Sequence, residues 1–244
     1  MSRYAGRGQR GGKTRRRGLP WLIALIVLVI VLVAADFIAR TVAESVAAGE
    51  IKTQEHLSSK PAVSIEGFPF LTQLATRNFS HVRIGISDLR EGPVTFTTVH
   101  ATATGVKPNS FAFKRLTISR LSGTALIDFA SLGNTLTSEI GPLGTLLNGA
   151  GLDLSAAGPE EVKASLNLVV TTGSATWRIT RVSSSELNVR LVASSGLPSA
   201  LLGSIQNVNI HIPKLPLGLT IDSIRVTSAG VVGTISGNHV VLGS

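Results

Sequence analysis

The 244-residue chain contains no cysteine. Disulfides and thiolate metal sites, whether zinc or iron–sulfur, are therefore excluded, and stability has to come from burial alone. Aromatic residues are scarce as well, at 5%, so the core must be built from Val, Leu, Ile and Ala, a composition that suits strands. Acidic residues are missing altogether before Asp36. Catalytic signatures are absent too. The histidines, His56, His81, His100, His211 and His239, never stand at the spacing of a zinc site. There is no GxSxG elbow and no phosphate-binding Gly-Lys loop. Glu160 and Glu161 are adjacent, and neighbours on a helix or strand point apart. No catalytic residue, metal ligand or cofactor is assigned, and enzyme activity is not expected.

The N-terminus is informative. Arg3, Arg7, Arg10, Lys13, Arg15, Arg16 and Arg17 precede an uncharged run, LPWLIALIVLVIVLVAA, at 19–35. Its length meets the lower end of the ~17–25 residues that cross a bilayer as a helix. Basic residues stay cytoplasmic. Residues 1–18 then form a disordered basic cytoplasmic tail, 19–35 a transmembrane anchor or signal segment, and 36–244 an extracytoplasmic domain. The alternative is a signal cleaved after Val33-Ala34-Ala35, which would release the domain into the periplasm. The net charge of +9 belongs to the tail: from Asp36 onward 16 basic residues face 14 acidic ones. Nucleic acid is therefore not an expected partner, and the basic head suits anionic headgroups.

Beyond the anchor, Ile38, Val42, Val46 and Leu57 recur at roughly helical spacing, predicting a helix over 36–57 with Gly49 as its weak point. Ser58, Ser59 and Pro61 end it. The period then changes to two. Val63 and Ile65, then Val82, Ile84 and Ile86, alternate with polar residues, and strands are predicted over 79–89, 93–106 and 111–119, with Leu116 and Ile118 out of phase. Phe129, Leu132, Leu136, Ile140, Leu143 and Leu147 form an apolar helical stripe that Asp128 could cap and Gly141-Pro142 should kink. Strands return over 162–172, 174–182 and 186–194, with Gly173 as a turn. A short helix over 197–205 precedes strands over 207–212, 219–227, 230–235 and 238–242. This order, without βαβ alternation, predicts an α+β fold with a large antiparallel sheet. Its aliphatic faces could pack on helices or curl around a cavity for acyl chains.

The stretch Pro61–Ile86, PAVSIEGFPFLTQLATRNFSHVRIGI, resembles the actinobacterial lipomannan elongation factor A-like phospholipid-binding family. The ending is similar to it as well: Leu215-Pro216-Leu217-Gly218-Leu219, then Ile224-Arg225-Val226 and a Gly-centred hairpin. The resemblance implies a curved antiparallel sheet wrapped on a long helix, like the tubular lipid-binding proteins. It also implies binding of phosphatidylinositol or its mannosides at the membrane, in support of envelope lipoglycan (mannan and lipomannan) assembly, with envelope glycosyltransferases as possible partners. A structural scaffold with a filled core that recruits envelope enzymes is the competing expectation. The candidate lipid-binding residues are Phe68, Phe70, Leu71, Leu74, Arg77, Arg83, Ile84 and Ile86, with Arg77 or Arg83 offered to a phosphate. Gly67 and Pro69 shape a bend whose Phe68 and Phe70 anchor it in the core, or which is the mouth of a lipid cavity or a membrane-dipping loop. One departure from the family pattern is Ala75-Thr76-Arg77, where a glycine is expected, which puts a tight turn there in doubt.

Overall fold

The computed structural model describes residues 19–54, 56–91, 94–109, 115–139, 152–167, 172–184, 186–197, 206–211 and 219–242. A single helix, α1 (Leu19–Gln54), joins the apolar run to the domain without a break. It carries no proline or glycine between Trp21 and Ala48, so nothing kinks it, and Gly49 is accommodated within it. Its apolar part, Trp21 to Val33, is exposed along its whole length, and α1 is long and apolar enough to cross a membrane.

The remaining elements are β1 (Ala62–Glu66), α2 (Phe70–Thr76), β2 (Phe79–Glu91), β3 (Val94–Pro108), β4 (Leu116–Asp128), α3 (Phe129–Glu139), β5 (Leu152–Gly158), β6 (Glu161–Asn167), β7 (Thr172–Ser183), β8 (Glu186–Ser195), β9 (Asn207–His211), β10 (Thr220–Thr227) and β11 (Gly230–Leu242). The fold is α+β, as expected. The antiparallel strands divide into two open, curved sheets, one ordered β1-β2-β3-β4-β11-β10 and the other β5-β6-β7-β8-β9. The sheets meet where β10 touches β5 and β7, with the Val226 amide donating to Pro159 O at 2.7 Å.

Several expectations are corrected. The stripe Ile38, Val42 and Val46 does not face the domain; these side chains are 66%, 57% and 66% exposed. The docked face carries Asp36, Arg40 and Glu44 instead, each four residues after the last and so on one side of the helix. β4 runs to Asp128, well past Ser119. β5 was not anticipated, and β11 is one strand where two were expected. Gly173 lies inside β7, paired with Leu166, because a Cβ there would collide with Leu197. Asp128 does cap α3, accepting the Ser131 amide at 2.6 Å. That hydrogen bond holds its carboxyl below the ordinary aspartate value. Ile140, Leu143 and Leu147, residues 111–114 of the strand expected over 111–119, all but Leu197 of the helix expected over 197–205, and most of the Leu215–Leu219 motif lie outside the described residues.

The larger sheet has a crease. Ser80, Gly105, Ser119 and His239 fall between paired positions in β2, β3, β4 and β11. Gly105 and His239 both have positive φ, +64° and 52°, which rotates the strand and reverses which parity points inward. Val82, Ala103, Leu121 and Gly237 point inward on one side of the crease, and Phe79, Val106, Ile118 and Val240 on the other. Around this bend Phe79, Val106, Ile118 and Val240 close with Ile65, Phe70 and Ala103 into one core. A second core lies at the opposite end. There Val226 of β10 joins Leu154, Val162 and Ala164 of the smaller sheet, under Phe129, Leu132 and Trp177.

Candidate functional site

β1 is an edge strand, and an edge exposes backbone groups that need partners. α1 supplies one. Glu44 Oε1 accepts the Ile65 amide at 2.7 Å and is held by Arg40 Nε at 2.9 Å. Arg40 also reaches Ser64 Oγ at 3.3 Å. One turn nearer the apolar run, the buried Asp36 carboxylate accepts the Phe70 amide at 2.9 Å and the Leu71 amide at 2.7 Å. These are orphan donors at the start of α2, where Pro69 supplies no side-chain cap. A carboxylate from a residue 34 positions away therefore caps the helix.

Within the GFPFLTQ block the two phenylalanines part company. Phe70 is 1% exposed and central to the first core, with its ring 6.1 Å from Phe79. Phe68 is 64% exposed and lies against Phe37 of α1, centroids 6.4 Å apart. Gly67 adopts φ +102°, and a Cβ there would come within 2.7 Å of Gln73 Nε2. Gln73 ties three elements: Nε2 donates to Glu66 O at 3.1 Å, and Oε1 accepts the Ser80 amide at 3.0 Å. The tight turn after α2 is present despite the missing glycine. Arg77 takes the left-handed conformation, φ 50°, and the Arg77 and Asn78 amides return to the Leu74 and Gln73 carbonyls, the usual closure of a helix end.

Between the two cores, among the described residues, the inner face of the larger sheet is half-buried. Partners across an antiparallel ladder share a face, so the registers give two transverse rows. One runs Ile84–Ala101–Gly123–Ile235–Ile221, and the next Ile86–Val99–Ala125–Gly233–Ile224. Apart from buried Ile221, every one of these residues is only half-buried. Four of the six interior positions, Ala101, Gly123, Ala125 and Gly233, are Ala or Gly, the others being Val99 and Ile235; the Ile235 side chain covers Gly123. A Cβ added at Gly233 would meet nothing within 4 Å. Five strands at about 4.8 Å spacing make this floor about 19 Å wide. It is aliphatic throughout.

The candidate residues therefore divide. Ile84 and Ile86 line the floor. Phe70 and Leu74 belong to the adjoining core. Phe68 and Leu71 are exposed beside α1. Arg83 projects from the opposite face, paired with Glu66 at 2.9 Å, and Arg77 donates to Asn109 O at 3.1 Å beyond α2. Over Gly85 on Arg83's face is a shallow depression of about 260 Å³, bordered by Ser64, His100 and Thr102. It falls below the ~300–1,000 Å³ of ordinary ligand pockets. Asp36 and the Ala/Gly floor were not recognised from sequence; only the registers bring the small residues together.

No curated protein and no solved structure matches the chain. The sequence profile described as LmeA-like phospholipid-binding matches residues 34–236, spanning both sheets and the docked part of α1. The chain belongs to the LmeA-like phospholipid-binding family.

Proposed function

We propose that this protein carries a phospholipid on the aliphatic floor of its larger sheet, outside the cytoplasm, while α1 keeps it in the membrane. One observation supports the reading above the others: two rows of half-buried aliphatic residues, floored by Ala101, Gly123, Ala125 and Gly233, lie between two closed cores. Among the described residues a Cβ at Gly233 meets nothing within 4 Å, and a scaffold domain gains nothing from such space. Acyl chains would fill it. At about 0.8 kcal/mol per buried methylene, ten methylenes contribute about 8 kcal/mol, enough to lift a chain out of water without any covalent step.

The carriage is non-enzymatic, and the lipid is of the phosphatidylinositol type, held for envelope lipoglycan assembly in which glycosyltransferases are the receiving partners. Family membership supports a phospholipid; the inositol headgroup and the assembly role extend the resemblance of the GFPFLTQ block. A phosphate taken by Arg83 would compete with Glu66 for the guanidinium, and one taken by Arg77 would compete with Asn109 O.

Native mass spectrometry and lipid extraction of residues 36–244, which retain Asp36, Arg40 and Glu44, test the proposal. One co-purifying phospholipid per chain is the expected result, with phosphatidylinositol displacing phosphatidylethanolamine in competition from liposomes. A chain that emerges empty and takes up neither lipid would remove the carrier reading.

A further inference from the structure

We infer that the Gly67–Leu71 bend is a membrane-seating lip, held by α1 at the surface of the bilayer that α1 itself spans. This rests on α1 remaining as an anchor, and it does not depend on which lipid the floor carries.

Order along the chain fixes the direction. α1 leaves the apolar run and climbs through Asp36, Arg40 and Glu44. β1 runs the opposite way, so Ile65 meets Glu44 while Phe70 and Leu71, farther along the chain, meet Asp36. The chain thus turns back and delivers Phe68 to Phe37. At 1.5 Å per residue Phe37 lies about 3 Å along the axis beyond Ala35, the last residue of the run. With no proline or glycine between Trp21 and Ala48 the helix is stiff, and two carboxylates clamp the domain to it. The lip cannot swing away from the membrane surface.

Its chemistry fits that level. Phe37, Ile38, Phe68 and Leu71 are all exposed and continue without interruption from the apolar surface of the anchor. Aromatic side chains are favoured at the membrane–water boundary. Burying such a patch in the interface gains the free energy that water exposure withholds. The buried Asp36 is a positioning residue here: it locks α2 so that Phe70 points into the core while Phe68 points out.

The absence of cysteine makes the test direct. Full-length Phe68→Cys and Val182→Cys variants are spin-labelled and reconstituted into vesicles of phosphatidylcholine and phosphatidylglycerol, after intact mass confirms that the anchor is retained. Val182 is 59% exposed on the smaller sheet. The label at 68 should be severalfold less accessible to an aqueous nickel chelate than the label at 182, and more accessible to lipid-dissolved oxygen. Equal aqueous accessibility would overturn the lip, as would finding the chain cut after Ala35. Ile38, Val42 and Val46 also offer a surface to a second copy. If shielding at 68 disappears when protein is diluted in lipid, or the labels on two copies couple, a second copy covers the patch and the membrane assignment fails. Lipid uptake enters none of these readouts, so failure here leaves the carrier reading standing.

Discussion

The inner face of the larger sheet is closed at one end and half-open in its middle, although both stretches are made of apolar residues from the same strands. At the closed end Phe70, Phe79, Val106, Ile118 and Val240 interlock around the crease. A few residues farther along, the same strands present Ala101, Gly123, Ala125 and Gly233. Hydrophobicity does not distinguish the two. Side-chain volume does, because a protein interior is stable only when close-packed. Large residues make one stretch a structural plug, and small ones leave the other half-buried. On the proposed function, stability and lipid carriage are separated along one sheet, and substitutions at the two places should have opposite profiles.

The largest effect is expected in the plug. Phe70→Ala removes a ring that is 1% exposed, and emptying such a site costs about 3–5 kcal/mol. Urea unfolding of residues 36–244 should show it as a large fall in midpoint. A loss below about 1 kcal/mol would mean that the closed end is far looser than its packing indicates. The next effect lies at the seam between plug and anchor. Asp36→Ala leaves the Phe70 and Leu71 amides without their charged acceptor, and such losses run to about 2–3 kcal/mol. Asp36→Asn keeps one acceptor oxygen and should lose less. Equal losses in the two variants would show that the charge, and not acceptor geometry, secures α2.

Both substitutions bear on features that the sequence discloses unevenly. The long apolar helix is legible from its unbroken apolar run, and most strands and the α+β class from a periodicity that reflects one-sided burial. The crease is where that logic fails. Ile118 and Leu121 are both inward but three residues apart, so alternation seems to end at Ser119 and the second half of β4 goes unread. Gly237-Asn238 looks like a turn, yet it adjoins the crease at His239 and β11 runs through it. α2 is too short for a periodic signal; its start is capped by a remote partner, Asp36, and its end is closed by the Arg77 and Asn78 amides. The docked face of α1 is likewise hidden. Asp36 and Glu44 accept hydrogen bonds from the domain and Arg40 donates one, beside the small Ala39 and Ala43, while the larger apolar stripe that should mark a buried face points outward. For the site, Ile84 and Ile86 could be read from their strand. The Ala/Gly floor could not, since small residues carry no local signal until three strands align them.

A smaller effect is expected at Arg77, and it separates strain from binding. A non-glycine residue in the left-handed region carries about 1–2 kcal/mol of steric cost, offset here by the hydrogen bonds that close α2. Arg77→Gly should therefore raise stability by about 1 kcal/mol or slightly less, since glycine also gains entropy in the unfolded chain. If phosphatidylinositol uptake is unchanged in the stabilised variant, the guanidinium is not a headgroup contact. If uptake falls while stability rises, the arginine is retained for the lipid in spite of its backbone.

The smallest effect on stability should accompany the largest effect on cargo. Gly233→Leu places a side chain where an added Cβ has open space, so no clash opposes it, and exchanging glycine for a bulkier residue in a strand interior is mildly favourable. The unfolding midpoint should move by no more than about 0.5 kcal/mol in equivalent free energy. The leucine would nevertheless stand in the middle of the floor, beside Ala125 and Ile224, and occupy the volume an acyl chain needs. Ser87→Leu is the matched control, since Ser87 is exposed and its partner Thr98 shares the outer face. Lipid extraction from the two purified variants decides the matter. Loss of phospholipid from Gly233→Leu alone, at unchanged stability, would show that the open stretch is kept open for its ligand. Equal retention in both would place the lipid elsewhere, and the contrast between plug and floor would then be one of packing only.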